Sequence, residues 1–207
     1  LHWPETITTH LVEDNTLFTC DTFGSFKKLP EGKILETDIP NIQEYIQSSK
    51  KYYAAVFSGQ REWILKAVQK FTDMHIEPRI IAPSHGPVYT TNSNQIMNTS
   101  TSWSRPDYKR KVIVAIGSMY GMTAQLTQAI TEGINEAKGQ AITFDISHSA
   151  HIDIRAEVLD APALMIGTPT YEHEIFPKVK QFVNLLETKK LTDRHVAVFG
   201  SYSWSGE

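Results

Sequence analysis

The sequence predicts an α/β chain of two domains, the second of them a doubly wound parallel sheet. Three observations carry this. From Lys111 onward apolar strands alternate regularly with helical patterns, as in a parallel sheet covered on both faces. Before that point strands and helices are mixed without such regularity. Between the two lies Thr90 to Ser104, rich in Thr, Ser and Asn and followed by Pro106, which sets the expected domains at 1–104 and 105–207. The 207 residues suffice for two domains.

The elements follow in order. Thr8 to Val12 and Thr16 to Cys20 flank Glu13-Asp14-Asn15, which suits a hairpin turn. An irregular stretch with Pro30, Gly32 and Pro40 follows. Ile42, Tyr45, Ile46, Tyr53 and Val56 predict a helix with gaps in its stripe. Ile64, Leu65, Val68 and Phe71 predict a cleaner one, stopped before Pro78. Ile80-Ile81-Ala82 reads as a short buried strand ending at Pro83-Ser84-His85-Gly86. Ile96 and Trp103 can anchor a short helix in the boundary stretch.

In the second domain Lys111 to Ile116 is a continuous apolar strand. Thr123 to Lys138 is a helix with Leu126, Ile130, Ile134 and Ala137 on its inner face, capped by Gly139. Ala141 to Ile146, Ala163 to Gly167 and Val196 to Gly200 are the remaining strands. Pro177 opens a helix that turns Val179, Phe182, Val183 and Leu186 inward.

Composition excludes some roles. A net charge of −3 without a Lys/Arg cluster argues against nucleic acid and anionic membranes as partners. No apolar run approaches the roughly 18 residues of a membrane span. The single cysteine, Cys20, permits no internal disulfide and fits a reducing, cytoplasmic compartment. Both ends read as cut. Residue 1 is Leu, Leu1-His2-Trp3-Pro4 lacks the features of a signal peptide, and "FGSYSWSGE" stops in a loop. The expectation is an internal piece of a longer protein.

The chemistry concentrates in "AIGSMYGMTAQL", Ala115 to Leu126, a strand that breaks into a loop and resumes as a helix. A triphosphate loop requires G-x-x-x-x-G-K-[ST], and no Lys lies between Lys111 and Lys138. A dinucleotide loop requires G-x-G-x-x-G, and Gly117 and Gly121 have the wrong spacing. The hydroxyls and backbone donors of Ser118, Tyr120, Gly121 and Thr123 suit a single terminal phosphate at a helix N-terminus. A plain βα turn capped by Ser and Thr would look the same. Two further strand ends favour the phosphate. "GTPTYEHEIFP" supplies Thr168, Pro169, Thr170 and Tyr171, and "GSYSWSGE" supplies Ser201, Tyr202, Ser203, Trp204 and Gly206. Carboxyl ends of parallel strands share one edge of a sheet. Together they offer hydroxyls for a ribityl phosphate and aromatic faces for an isoalloxazine ring.

"GSMYGMTAQL", "GTPTYEHEIFP" and "FGSYSWSGE" resemble the three flavin loops of a flavodoxin domain, particularly that of the flavodiiron proteins (A-type flavoproteins). The resemblance implies FMN held by Ser118, Met119, Tyr120, Gly121, Met122 and Thr123, by Pro169, Thr170 and Tyr171, and by Ser201, Tyr202, Ser203, Trp204 and Gly206. Met122 departs from the family, which usually has Asn there. The piece would stop before the domain's fifth strand.

"LHWPETITTHL", "LFTCDTFGSF" and "IIAPSHGPVY" resemble the C-terminal half of the metallo-β-lactamase-like αββα domain of the same family. Carried over, His2, Asp21 and His85 are iron ligands and catalytic, with Asp21 bridging two iron ions. Imidazole and carboxylate suit iron and zinc alike. Glu5 stands where the family usually has Asp. The family's first ligand run, His-x-Glu-x-Asp-His, is expected upstream of residue 1. The other histidines, His10, His75, His148, His151, His173 and His195, read as surface or core residues.

The resemblance implies an oxidoreductase that reduces dioxygen to water, nitric oxide to nitrous oxide, or both. Electrons would pass from a small redox protein, rubredoxin-like or a reductase, through FMN to the diiron centre. A head-to-tail homodimer would bring one subunit's flavin beside the other's irons. The alternative is a β-lactamase-like hydrolase, with zinc at the same residues, fused to an electron-carrying flavodoxin domain. A flavin carrier with a purely structural first half is the third reading.

Overall fold

The computed structural model describes residues 6–105, 110–192 and 194–202, and the chain falls into two compact units, Leu1–Arg105 and Pro106–Glu207. His2, Ser203, Trp204 and Gly206 lie outside the described residues.

The first unit is built on a small mixed sheet. β1 (Thr9–Leu11) pairs antiparallel with β2 (Thr16–Phe18), and β3 (Ile80–Ala82) runs parallel to β2. Asn15 makes the hairpin turn by taking a positive φ of 49°, which Asn tolerates better than most residues. Its side chain accepts from His10 Nε2 at 2.9 Å and donates to the Glu77 carbonyl at 2.7 Å. The helices are α1 (Ile42–Val56), α2 (Arg61–Asp73) and α3 (Ser93–Ser104). Asn41 caps α1 by accepting from the Glu44 N–H. Phe23, Ile81, Tyr89 and Ile96 form a core cluster against which Val68 and Met97 pack. Tyr53 joins α1 to α3. Its ring meets Trp103 edge-on at 5.6 Å, and its hydroxyl shares a buried hydrogen bond with Ser104 Oγ at 2.7 Å. Burial pushes its phenol up to about 12, against the opposing effect of that bond.

α3 has an unusual cap. Its N-cap residue, Asn92, makes no side-chain capping bond. Instead Glu36, only 2% exposed, reaches across the chain, and Oε1 accepts the backbone N–H groups of Thr90 (2.7 Å), Thr91 and Asn92 (3.1 Å). Burial by itself raises this carboxyl. The three N–H donors outweigh burial and hold its pKa below the ordinary value.

The second unit is a parallel sheet in the order β5-β4-β6-β8, formed by β4 (Lys111–Ile116), β5 (Gln140–Asp145), β6 (Ala163–Tyr171) and β8 (His195–Ser201). α4 (Met122–Glu136), α5 (His151–Val158) and α6 (Pro177–Thr188) complete its βα units, and β7 (Glu174–Ile175) folds back antiparallel on the end of β6. Ile113, Val114 and Ala115 are fully buried in the centre of the sheet, as expected of a strand covered on both faces. Ile154 and Val158 of α5, with Val179 and Phe182 of α6, pack on that centre. Among the described residues no helix is long and apolar enough to cross a membrane.

Four features differ from the sequence reading. α5 is absent from it, because the helix is short and buries Ile154, Arg155, Ala156 and Val158, which leaves no simple stripe. The inner face of α4 is Thr123 and Thr127 with half-buried Ile130 and Ile134, while Leu126 (43% exposed) and Ala137 face outward. Thr127 Oγ1 donates to the Thr123 carbonyl at 2.8 Å, which removes the cost of burying its hydroxyl. The left-handed residue ending α4 is Lys138 (φ 60°), not Gly139. Lys138 N–H bonds Asn135 O and Gly139 N–H bonds Ile134 O, both at 2.9 Å, the pairing of a Schellman motif. Glycine is needed at 139 for space, since a Cβ there would lie 2.8 Å from Ile134 Cγ2. Finally, β6 runs four residues past Gly167 and turns at Glu172 (φ 49°) and His173 (φ 63°) into β7. That hairpin lacks the Asn-Gly signal by which two-residue turns are recognised.

Candidate functional site

In the second unit, strand register brings three segments to one sheet edge. Ile116 is level with Gly167, and Pro169 with Ser201. The chain therefore leaves β4 at Gly117, turns at the tip of β6 and leaves β8 after Ser201, all on the same side. Small residues make this possible. A Cβ at Gly117 would sit 2.6 Å from Val179 Cγ2, and one at Gly200 would sit 2.0 Å from the Thr168 carbonyl oxygen.

These segments enclose a cavity of about 320 Å³. Of the residues named from sequence, Ser118, Met119, Tyr120, Met122, Thr123, Pro169, Thr170, Tyr171, Ser201 and Tyr202 line it. Gly121 does not. It is the N-cap of α4 at φ 85°, a left-handed position that favours glycine, and it contributes no side-chain oxygen to the first-turn N–H groups. Glu172, which no sequence pattern singles out, also lines the cavity, placed there by the unforeseen hairpin turn.

The hydroxyls are not equivalent. Thr123 Oγ1 is buried and shares a hydrogen bond with Ser201 Oγ at 3.1 Å, tying α4 to β8. Thr168 Oγ1 donates to the Pro169 carbonyl (3.0 Å) and accepts from Phe176 N–H (3.3 Å), so it shapes the hairpin. Ser118 Oγ is buried and finds no partner among the described residues. A buried hydroxyl without a partner is costly, and an anion at the uncapped start of α4 would satisfy it. Tyr120, Tyr171 and Tyr202 are 89%, 39% and 69% exposed and supply the aromatic faces. Tyr171 is steadied by an edge-on contact with Phe176 at 6.2 Å. One orphaned donor, an open helix start and exposed rings around one cavity fit a flavin mononucleotide.

In the first unit the structure brings Asp21 and His85 together, with Oδ1 and Nε2 3.4 Å apart. Asp21 sits in the turn after β2, between Cys20 (φ 51°) and Phe23 (φ 70°). That strained turn is held by Thr19 Oγ1 donating to the Thr22 carbonyl (2.7 Å) and by Ser84 N–H donating to the Cys20 carbonyl (2.7 Å). Ser25 N–H donates to the His85 carbonyl (3.3 Å), and Gly24 N–H to that of Asp21 (3.2 Å). A Cβ on Gly24 would lie 3.0 Å from His85 O and 3.1 Å from Asp21 O, so a glycine separates the two loops. Buried Tyr52 lies alongside, its ring 6.2 Å from that of His85. Burial, then the charges of Asp21 and Cys20, push its phenol well up, so it remains a neutral donor. Among the described residues no group of three or more His, Cys, Asp or Glu is placed to hold a metal. Asp21 and His85 are a carboxylate and an imidazole of the kinds that iron accepts.

Comparison with known proteins agrees with both units. The flavodoxin family model matches residues 114–207. Over its whole length the chain is 26% identical to a nitric oxide reductase of Moorella thermoacetica and 25% identical to an anaerobic nitric oxide reductase flavorubredoxin of Klebsiella pneumoniae, covering 51% and 42% of them. The chain thus spans about half the length of the curated relatives it matches. Among solved structures, a flavo di-iron protein variant from Thermotoga maritima superposes with a TM-score of 0.84 at 27% identity, over 99% of this chain and 51% of that one. The rubredoxin oxygen:oxidoreductase of Desulfovibrio gigas shares the fold at a TM-score of 0.92 and 22% identity, over 100% of this chain and 51% of that one.

Proposed function

We propose that this chain, a relative of the flavodiiron proteins over its whole length, is part of an FMN- and iron-dependent oxidoreductase that reduces dioxygen, nitric oxide or both. The observation that carries the reading is the cavity at the β4, β6 and β8 ends, lined by Ser118, whose buried hydroxyl finds no partner among the described residues. When bound, FMN supplies one- and two-electron transfer and iron supplies a site for the gas.

The chain's own residues have defined tasks. Ser118 Oγ donates to the phosphate beside the open first turn of α4. Thr123 and Ser201 hold that turn against β8. Tyr171 and Tyr202 flank the ring and exclude water from part of it. Ser203, Trp204 and Gly206 are proposed to complete the ring side from the segment after β8. In the first unit Asp21 and His85 are ligands, with His2 as the third ligand from this chain, and Gly24 and Ser25 keep the first two in register. The relatives named flavorubredoxin and rubredoxin oxygen:oxidoreductase support a small redox protein as electron donor. A head-to-tail homodimer and a cytoplasmic setting belong to the same proposal.

Titration of the full-length protein, freed of flavin, with FMN, followed by quenching of flavin fluorescence, tests the first site. Saturable quenching is expected, weakened in Ser118→Ala. Metal analysis of the full-length protein tests the second. Iron that is absent, or that survives Asp21→Ala unchanged, would sink the metal assignment.

A further inference from the structure

Met122 brings an oxidisable side chain to the start of α4. It is the first residue of α4, half exposed (51%), and lines the cavity. Gly121 before it leaves the first-turn N–H groups without a side-chain cap, and Ser118, whose buried Oγ has no partner among the described residues, lines the same cavity. A thioether is a poor acceptor and leaves these donors to a ligand. Its sulfoxide is a strong acceptor with a partly negative oxygen, and a side chain on the first helical residue tilts back toward the helix start, where those donors lie.

We infer that Met122 is an oxidation-sensitive control on flavin loading, an inference that rests on the FMN reading of this cavity. The oxidant is hydrogen peroxide. The Met122 sulfur lone pair attacks one peroxide oxygen, the S–O bond forms as the O–O bond breaks, and the second oxygen leaves as water carrying both protons. The thioether loses two electrons and the peroxide gains them. The sulfoxide oxygen then competes with phosphate at the start of α4, and methionine sulfoxide reductase reverses the change. Met119, less exposed at 37%, lies beside it on the cavity wall. Met74, equally open at 58% but in the first unit, is an internal control.

The test treats the full-length protein, freed of flavin, with hydrogen peroxide, maps each sulfoxide by peptide mass spectrometry and titrates FMN before and after. Oxidation at Met122 is expected to weaken FMN binding about tenfold, with reversal by the reductase. Bound FMN should slow oxidation of Met122 and leave Met74 unaffected. Met122→Leu, whatever its own affinity, should bind FMN equally before and after peroxide, while Met119→Leu and Met74→Leu keep the response. FMN binding that survives complete oxidation of Met122, or a response that persists in Met122→Leu, overturns the inference alone. A full-length protein that binds no FMN before treatment overturns the flavin reading and this inference with it.

Discussion

In Pro106–Glu207 the candidate site assembles from the sheet itself, whereas in Leu1–Arg105 it depends on strained loops. Parallel pairing of β4, β6 and β8 puts their carboxyl ends level, so any side chains placed there converge. Asp21 and His85 have no such shared geometry. They follow β2 and β3, and their approach to 3.4 Å relies on left-handed residues at 20 and 23 and on hydrogen bonds between two loops. The proposed flavin cavity should therefore tolerate change in its side chains but not in the strands beneath. The proposed metal-ligand pair, Asp21 and His85, should respond to small changes in the loops.

The sharpest way to break this contrast is Gly200→Ala. The added Cβ meets the Thr168 carbonyl oxygen at 2.0 Å, a backbone atom that cannot move without separating β6 from β8. A loss of about 3 kcal/mol is expected, read as an earlier urea transition of 106–207 together with loss of FMN binding.

Next in size is Glu36→Gln, which removes a carboxylate accepting three N–H donors and should destabilise the first unit by about 2 kcal/mol at neutral pH. Because the folded pKa lies below the ordinary one, the carboxylate's contribution is fully present above the ordinary carboxylate range. It is lost as pH falls through the depressed folded value. Urea titrations in this acid range should show parent stability falling toward that of the variant, which lacks the dependence.

Ser118→Ala comes third. It should weaken FMN binding about tenfold, or 1.4 kcal/mol, without lowering the melting temperature of the ligand-free chain, since the hydroxyl it removes has no partner. A fall in stability without FMN would show that the hydroxyl has a structural role.

The smallest effect is expected of Gly24→Ala, about 1 kcal/mol, because neighbours at 3.0–3.2 Å need give only a few tenths of an ångström. Its informative readout is metal content of the full-length protein, which should fall further than stability does if the gap between the Asp21 and His85 loops matters.

Much of the fold was legible because burial on both faces writes itself as continuous apolar runs. Lys111 to Ile116 and Ile80 to Ala82 match their strands residue for residue. α4 misled because hydrophobicity alone put Leu126 inside, while a local hydroxyl bond lets Thr127 take the buried place. The Glu172 turn was illegible because two non-glycine residues adopt φ values that composition does not announce. In the site, residue types pointed to a phosphate and a ring, but which hydroxyl remains free could not be read. Ser118, Thr123, Thr168 and Ser201 are chemically alike, and only packing commits three of them elsewhere.

The sequence by itself determined the strands β1 to β6 and β8 and the residue types that follow β4, β6 and β8, since local periodicity and turn chemistry act over a few residues. The tertiary structure decided that Asp21 and His85 meet across 63 intervening positions, that Glu36 caps a distant helix and that Glu172 faces the cavity. Those outcomes depend on steric fit and hydrogen-bond satisfaction between segments far apart in the chain, which no local pattern encodes.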